Sequence, residues 1–469
     1  MRTDRDDALI GGRWKPVAAT LDVENPATTE YVGTGALCGP GDVDEAVAAA
    51  TAALPAWSST PPPVRADHID RLVEVLRSHR DELVDLTVAE VGAPIAVARE
   101  WHVDASLDIL SAAAGYARTF DFVQTRDNVR LLHRAAGVVG LITPWNYPFY
   151  QLAAKAGAAL AAGTTMVHKP SELTPLSAYL FAEATLEAGL PPGVVNLVPG
   201  TGVDVGAGLA AHPGVALVSF TGSTRVGRAV ATAAVDRVAR VTLELGGKSA
   251  SIVCDDADLT TAVRWSVDAC MLNTGQTCSA WTRLLVPEDL VEQAVQIATA
   301  RAAEMVVGDP TDAATELGPL ISATQREQVR TRIAAAAASG ARIDSPEPRP
   351  LPSTGYFQGP VIVSGLEPDH PVSREEIFGP VLVVHGYRDD EHAIEIANAT
   401  PYGLAGAVWS ADTDRATAIA ARLDTGQVFV NEAEFSVHAP FGGWKQSGFG
   451  REFGVEGLVE FTELTAIHL

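Results

Sequence analysis

Basic residues are scarce in this chain. Its 34 Lys and Arg stand against 58 Asp and Glu over 469 residues, a formal net charge of −24. That acidic excess repels polyanions, which argues against a nucleic acid or an anionic membrane as partner. Cysteine is scarce too: Cys38, Cys254, Cys270 and Cys278 are all there are. None forms a Cys-x-x-Cys pair and no histidine cluster accompanies them, so neither a disulfide framework nor a metal site is expected. No run reaches the ~18 uninterrupted apolar residues of a membrane span. The longest Ala-rich stretch, 152–167, is interrupted by Lys155 and by Gly163, Thr164 and Thr165. The first seven residues are mostly charged and lack the apolar segment of a signal peptide. A reducing cytoplasm fits these absences best.

What is present is an ordinary globular composition, 47% hydrophobic and 20% charged, in a chain too long for one compact core. Residues 42–54 have Ala-rich helical periodicity with Asp42 as N-cap. Thr60-Pro-Pro-Pro63 breaks the chain, and 65–91 reads as two more amphipathic helices. Residues 129–133 alternate like a strand of a hairpin outside the main sheet. From Gly137 onward strands and helices alternate. The strands are 137–143, 164–168, 193–198 and 217–220. The helices are 149–162, a stretch ending at Ala188, and 224–235, with Thr174 capping the second and Pro175 in its first turn. Such alternation implies a parallel, doubly wound sheet. A second α/β unit then runs to about Lys445, opening with strand 250–253, helix 259–272 and strand 282–286. Residues 344–354, rich in Pro and Ser, are expected to form an exposed loop. The alternating tail 461–469 is expected to add an edge strand to a neighbour.

Chemistry concentrates in four segments. Cys278 ends Asn273-Thr-Gly-Gln-Thr-Cys278, where its flanks are small and polar. A lone cysteine is by default a buried structural one. Cys254 and Cys270, in apolar patterns, fit that default and Cys278 does not. A free thiol is only a few per cent thiolate at neutral pH yet very nucleophilic, and it adds to an aldehyde carbonyl. Glu244, in Leu243-Glu-Leu-Gly-Gly-Lys248, lies in an apolar run where its charge is costly unless paired or protonated. Burial raises such a carboxyl toward the range of a general base. An ion pair with Lys248 is the structural alternative. Asn146, in Pro144-Trp-Asn-Tyr-Pro148, follows a buried strand, where α/β proteins bind ligands. Its amide can donate to a developing oxyanion, a contribution of about 3–4 kcal/mol where one such donor has been removed. Equally, it can stabilise its own turn. Gly222-Ser-Thr-Arg-Val-Gly227 opens a helix after a strand and suits a phosphate, although its spacing is not Gly-x-Gly-x-x-Gly. Lys169-Pro-Ser-Glu172 follows the neighbouring strand.

In order and spacing these motifs resemble the aldehyde dehydrogenase superfamily, from about Leu9 to the C-terminus. The resemblance implies an α/β fold: a Rossmann-like cofactor domain (1–113 and 136–246), a second α/β catalytic domain (247–446) and a small β oligomerisation element (114–135 and 447–469). It also implies NAD(P)-dependent oxidation of an aldehyde to the carboxylic acid. Cys278 is then the nucleophile, and Asn146 with the Cys278 amide forms the oxyanion hole. Glu244 activates the hydrolytic water, and Lys155 and Glu452 relay its proton. Lys169 and Glu172 are expected at the adenine-side ribose, Ser223 at the pyrophosphate, and Glu376 at the nicotinamide ribose with Phe378 beside it. Thr143, Pro144, Trp145, Ser171, Phe220, Gly222, Gly227 and Leu245 complete the cofactor set. A carboxylate on the ribose hydroxyls repels a 2′-phosphate, so NAD is favoured; Glu172 swinging aside leaves NADP open.

The positions facing the aldehyde correspond to Tyr147, Tyr150, Ala154, Leu272, Thr277, Ser279 and Phe441. Ala154 and Leu272 often carry large aromatics in relatives. Their absence counts against an aromatic cage for a quaternary ammonium and for a wider, mostly apolar funnel. Glu432 or Glu434 could favour an amino-aldehyde or simply face solvent. The resemblance further implies a homodimer or homotetramer. Relatives that make acyl-CoA typically lack the carboxylate matching Glu244. A Cys–His hydrolase needs a histidine motif beside Cys278, which this chain lacks, and a non-catalytic relative should have lost Cys278, Glu244 or Asn146.

Overall fold

A computed structural model of the protein describes residues 2–345 and 351–469. Part of the loop expected over 344–354, residues 346–350, lies outside the described residues; Asp344 closes a short strand and 351–354 are exposed.

An eight-stranded sheet occupies the first half. Its order is Arg13–Pro16, Asp7–Ile10, Val195–Leu197, Thr165–Lys169, Val138–Ile142, Leu217–Thr221, Arg240–Glu244 and Gly448–Phe449. The five strands from Val195–Leu197 to Arg240–Glu244 run parallel, as the alternation predicts. Alternate residues of each strand face opposite layers. Val139, Leu141, Met166 and Leu217 pack into a core with Leu72, Leu110, Phe149 and Tyr179 from the helices on one face. Val138, Ile142, Val167 and Val218 pack with Val43, Val47, Leu209 and Val230 on the other. Both faces are covered, which is why these strands read as continuous apolar runs. The edges depart from the parallel pattern. The N-terminal hairpin and Gly448–Phe449 both pair antiparallel. They are too short to carry a period, and Leu9 and Leu197 are the single register pair joining the hairpin to the sheet.

The second sheet has seven strands, Arg342–Asp344, Val361–Ser364, Val381–Tyr387, Arg283–Pro287, Ala250–Val253, Ala405–Trp409 and Gln427–Val430, antiparallel only at its first pair.

The hairpin outside these sheets is Val123–Arg126 with Val129–Ala135. The tail strand Thr462–His468 pairs antiparallel with Val129–Ala135 of its own chain, so the expectation that it adds to a neighbour is corrected. Arg240 steers it there: its guanidinium donates to the carbonyls of Glu460 at 2.7 Å and Thr462 at 2.6 Å.

Two capping expectations also change. The helix Pro40–Ser59 starts earlier than its periodicity suggests, with Gly39 as N-cap; Asp42 sits a turn in and accepts the Gly39 N–H at 2.9 Å. Thr174 does not cap the helix Leu176–Glu187, because its hydroxyl donates to the Trp145 carbonyl at 3.3 Å. The first amides of that helix go instead to the carboxylate of Glu90, from Leu176 at 2.8 Å and from Ser177 at 3.2 Å. Glu90 arrives from another helix, Arg80–Val91, and is fully buried.

Candidate active site

The Cys278 loop leaves the helix Leu259–Met271 through three successive left-handed residues: Asn273 (φ 52°), Thr274 (φ 58°) and Gly275 (φ 73°). Asn and Thr pay a steric cost there. Gly275 is needed twice over, since a Cβ on it would lie 2.2 Å from the carbonyl carbon of Gly379. Side-chain bonds hold the loop in this shape. Thr274 donates to the Gly318 carbonyl at 3.2 Å, and the Gln276 side chain accepts the Ile321 N–H at 2.9 Å. Asn146 Nδ2 donates to the Gln276 carbonyl at 2.9 Å, and Asn273 Nδ2 donates to the Asn146 carbonyl at 3.0 Å. The Pro144–Pro148 turn and the cysteine loop are therefore cross-tied in both directions.

Cys278 is half-buried and the other three cysteines are buried. All four thiols are pushed up to about 12, chiefly by burial; at Cys278 the carboxylates of Glu376, Glu244 and Glu452 add to it. Access rather than acidity sets Cys278 apart.

Glu244 closes the strand Arg240–Glu244, and its Oε2 is buried without a protein hydrogen-bond partner. Burial, then the nearby Glu452, raise its pKa well above the ordinary value, against the pull of Lys155 and Arg451. The ion pair with Lys248 does not form. The turn at Gly246 and Gly247 intervenes, and Lys248 Nζ is buried without a partner, its pKa lowered to about 7 by burial and by Arg283. Glu376 fills that turn. Its carboxylate accepts the Gly247 N–H at 3.1 Å, and a Cβ on Gly246 would lie 2.0 Å from its oxygen. A Cβ on Gly247 would lie 2.7 Å from the Cys278 carbonyl, so the turn packs directly on the backbone of Cys278. Lys155, from the helix Pro148–Ala162, makes a buried ion pair with Glu452.

Most of the expected cofactor residues gather at the carboxyl ends of four adjacent parallel strands, while Glu376 and Phe378 precede a strand of the second sheet. Ser223 caps the helix Thr224–Val235, its Oγ accepting the Val226 N–H at 3.4 Å. A Cβ on Gly222 would meet the Phe220 ring at 2.6 Å, and one on Gly227 would meet Leu245 at 2.6 Å. Both glycines keep the backbone low at a helix N-terminus, where an anion is favoured. Lys169 Nζ donates to Glu172 at 2.9 Å. Burial raises the Glu172 carboxyl, but the Lys169 ammonium and the Gly202 N–H outweigh it and hold the pKa below its ordinary value, so the side chain is an anion able to accept hydrogen bonds. Thr143 is hydrogen-bonded to His168 at 2.9 Å, and the Ser171 hydroxyl accepts the Leu173 N–H at 3.3 Å. Trp145 meets Phe378 edge-on at 5.3 Å, bringing the first sheet's loops against the second's. These residues fit a dinucleotide.

On the other side of Cys278 lies the expected funnel. Cys278 and Tyr150 pack against Ile109, Ala154, Leu404, Phe441 and Phe453, with Phe435 and Val437 alongside. Thr277 donates to the Leu272 carbonyl at 3.1 Å, so the 2.8 Å bond between Thr277 and Tyr147 is donated by the tyrosine. Leu272 and Ser279 are half-buried at the ends of the loop, and Glu432 and Glu434 are exposed. Ile109, Leu404, Phe435, Val437 and Phe453 were missed in the sequence. Phe453, next to Glu452, was within reach; Ile109 sits in a helix, Ala105–Thr119, that carries no motif. His102 was missed as well. It is buried and stacks on Tyr147 with ring centres 4.3 Å apart.

The profile of the Aldehyde dehydrogenase family matches residues 14–467. A 3-succinoylsemialdehyde-pyridine dehydrogenase of a Pseudomonas species is 46% identical over 99% of this chain and 98% of its own length. Among solved structures, an aldehyde dehydrogenase C variant of Pseudomonas syringae complexed with NAD+ and octanal superposes with a TM-score of 0.97 at 42% identity, covering 99% of this chain and 96% of that one. A Mycobacterium tuberculosis aldehyde dehydrogenase complexed with NAD+ superposes with a TM-score of 0.97 at 38% identity, covering 100% and 99%. The strand order, the cross-tied cysteine loop and these matches agree: the chain belongs to the aldehyde dehydrogenase family.

Proposed function

We propose that this NAD(P)-dependent aldehyde dehydrogenase oxidises an aldehyde with an apolar body to the free carboxylic acid, with NAD as its cofactor. The observation carrying this reading is the half-buried Cys278, set between a carboxylate without a cation and an apolar funnel. The sulfur of Cys278 adds to the carbonyl carbon as its thiol proton passes to water. The Asn146 amide and the Cys278 N–H receive the oxyanion, which requires Asn146 Nδ2 to share or release its bond to Gln276. Ser223, Lys169, Glu172 and Glu376 would hold NAD, which would supply the hydride acceptor. Glu244 then takes a proton from water, which attacks the Cys278 thioester, and the Lys155–Glu452 pair passes the proton on. Glu172, fixed by Lys169, favours NAD over NADP. The octanal complexed with the Pseudomonas syringae relative supports an apolar body here.

The rest of the reading is coarser. Two separate sheets support a cofactor domain and a catalytic domain within the bounds given above, with 114–135 and 447–469 bridging. The tail strand leaves Leu464 58% and Ile467 40% exposed, which supports burial against a second copy in a dimer or tetramer. Among the described residues no helix is long and apolar enough to cross a membrane. The cytoplasm stands as the proposed compartment on the cysteine usage.

The test is NADH formation across aliphatic, aromatic and amino-aldehydes, with and without coenzyme A, beside Cys278→Ala. Turnover without coenzyme A that vanishes in the variant is the expected result. Turnover that persists in Cys278→Ala, or that requires coenzyme A, overturns the reading.

A further inference from the structure

Two tyrosines flank Cys278, and their hydroxyls are in different states. That of Tyr147 is spent on Thr277. That of Tyr150 has no hydrogen-bond partner among the described residues, yet it is not sealed from solvent. Its ring is held in place, edge-on to Phe453 at 5.8 Å and tilted against Tyr147 at 6.0 Å. Around it are Ile109, Ala154, Leu404, Phe441 and Phe453, which offer no polar side-chain atom. A small space behind Ala154 is lined by Ala158, Val437 and Phe453, and by Tyr116, whose hydroxyl is hydrogen-bonded to His438. Tyr150 is thus a donor without a protein acceptor among the described residues, with apolar side chains on one side and Glu452, Cys278 and Tyr147 close by.

The phenol is also a dependable donor. Burial, followed by the charges of Glu452 and Cys278, pushes its pKa well above the usual tyrosine value, so it keeps its proton across the working range of the enzyme. The acceptor it suits is uncharged. Lys155, in the same helix as Tyr150, is taken by Glu452. A substrate carboxylate would therefore be desolvated against apolar side chains with no cation to meet it. A ketone or ester oxygen carries no such cost.

Building on the proposed aldehyde oxidation, we infer that Tyr150 determines specificity by donating a hydrogen bond to a neutral carbonyl oxygen carried further along an apolar aldehyde. The preferred substrates are then oxo-aldehydes and not plain alkanals. One hydrogen bond of this kind is worth a preference of about fivefold to tenfold in kcat/KM.

The experiment compares an alkanal with oxo-alkanals of equal length, the keto group on the fourth, fifth or sixth carbon, in the wild type and in Tyr150→Phe. Thermal unfolding and NAD binding of the variant are measured alongside. The expected result is a wild-type preference for at least one oxo-alkanal and a ratio near one in the variant. A wild type with no preference overturns the inference. So does a variant that slows both substrates while keeping the ratio, which would place the phenol on the reacting carbonyl. If neither the alkanal nor any oxo-alkanal is oxidised by the wild type, the underlying dehydrogenase reading fails as well. Oxidation of the alkanal with no change of ratio sinks the inference alone.

Discussion

Glu244 is buried beside Cys278 with no cation bonded to it, whereas Glu452 a short way off is paired with Lys155. The unpaired carboxylate is the one whose proton affinity burial can raise, and a base must be deprotonated to act. Thioester hydrolysis therefore rises with pH through the raised pKa of Glu244. Glu244→Gln should release about one NADH per subunit in a rapid burst and then stall, its steady rate down by about 10²–10⁴, the usual contribution of a general base. Stopped-flow absorbance checks both; a variant with no burst and an unchanged pH limb removes Glu244 from the hydrolytic step. Cys278, Glu244 and Asn146 were legible in the sequence because each sits among small residues, prolines or glycines that a core does not ask for. The supposed Lys248 partner was not, since neighbours in the chain are parted by the Gly246–Gly247 turn. The different states of Tyr147 and Tyr150 depend on Thr277 and Phe453, and no spacing reveals them.

At the scale of elements, Glu90 shows why helix ends are hard to read. The carboxylate that caps Leu176–Glu187 comes from a position 86 residues earlier, while the local candidate Thr174 is occupied elsewhere. Removing it in Glu90→Ala strands two buried amides, at a cost of about 1–3 kcal/mol in urea unfolding. Glu90→Gln keeps an acceptor and should lose less. Burial lifts the Glu90 carboxyl from an ordinary 4.5 to about 7, against the two amides. The folded chain thus holds this proton more tightly than the unfolded one. The stability it contributes is complete below about pH 4.5 and is lost as pH rises through 7. Glu90→Gln should accordingly lose less stability than wild type between those limits, and equal slopes would refute the assignment. The parallel strands were legible because helices bury both their faces; the edge strands were not, being too short to show a period.

For the whole molecule, the opposite sign comes from buried histidines. His385 donates Nδ1–H to the Leu366 carbonyl at 3.1 Å, and burial, with Arg283 nearby, lowers its pKa from 6.5 to about 3. The unfolded chain then binds the extra proton, so stability is lost as pH falls from about 6.5 toward 3. His385→Asn, which keeps a donor for Leu366, should flatten the acid limb by up to one proton, about 1.4 kcal/mol per pH unit. An unchanged limb would show that His385 titrates normally. The three-stranded sheet bears on how the molecule is made. The hairpin of Val123–Arg126 and Val129–Ala135 receives its third strand from Thr462–His468, and Glu452 and Phe453 reach the site only shortly before that. Domains fold from the N-terminus as synthesis proceeds. Neither the three-stranded sheet nor the Lys155–Glu452 pair can form until residues 452–468 have emerged, so both are assembled only after the two large sheets have been synthesised.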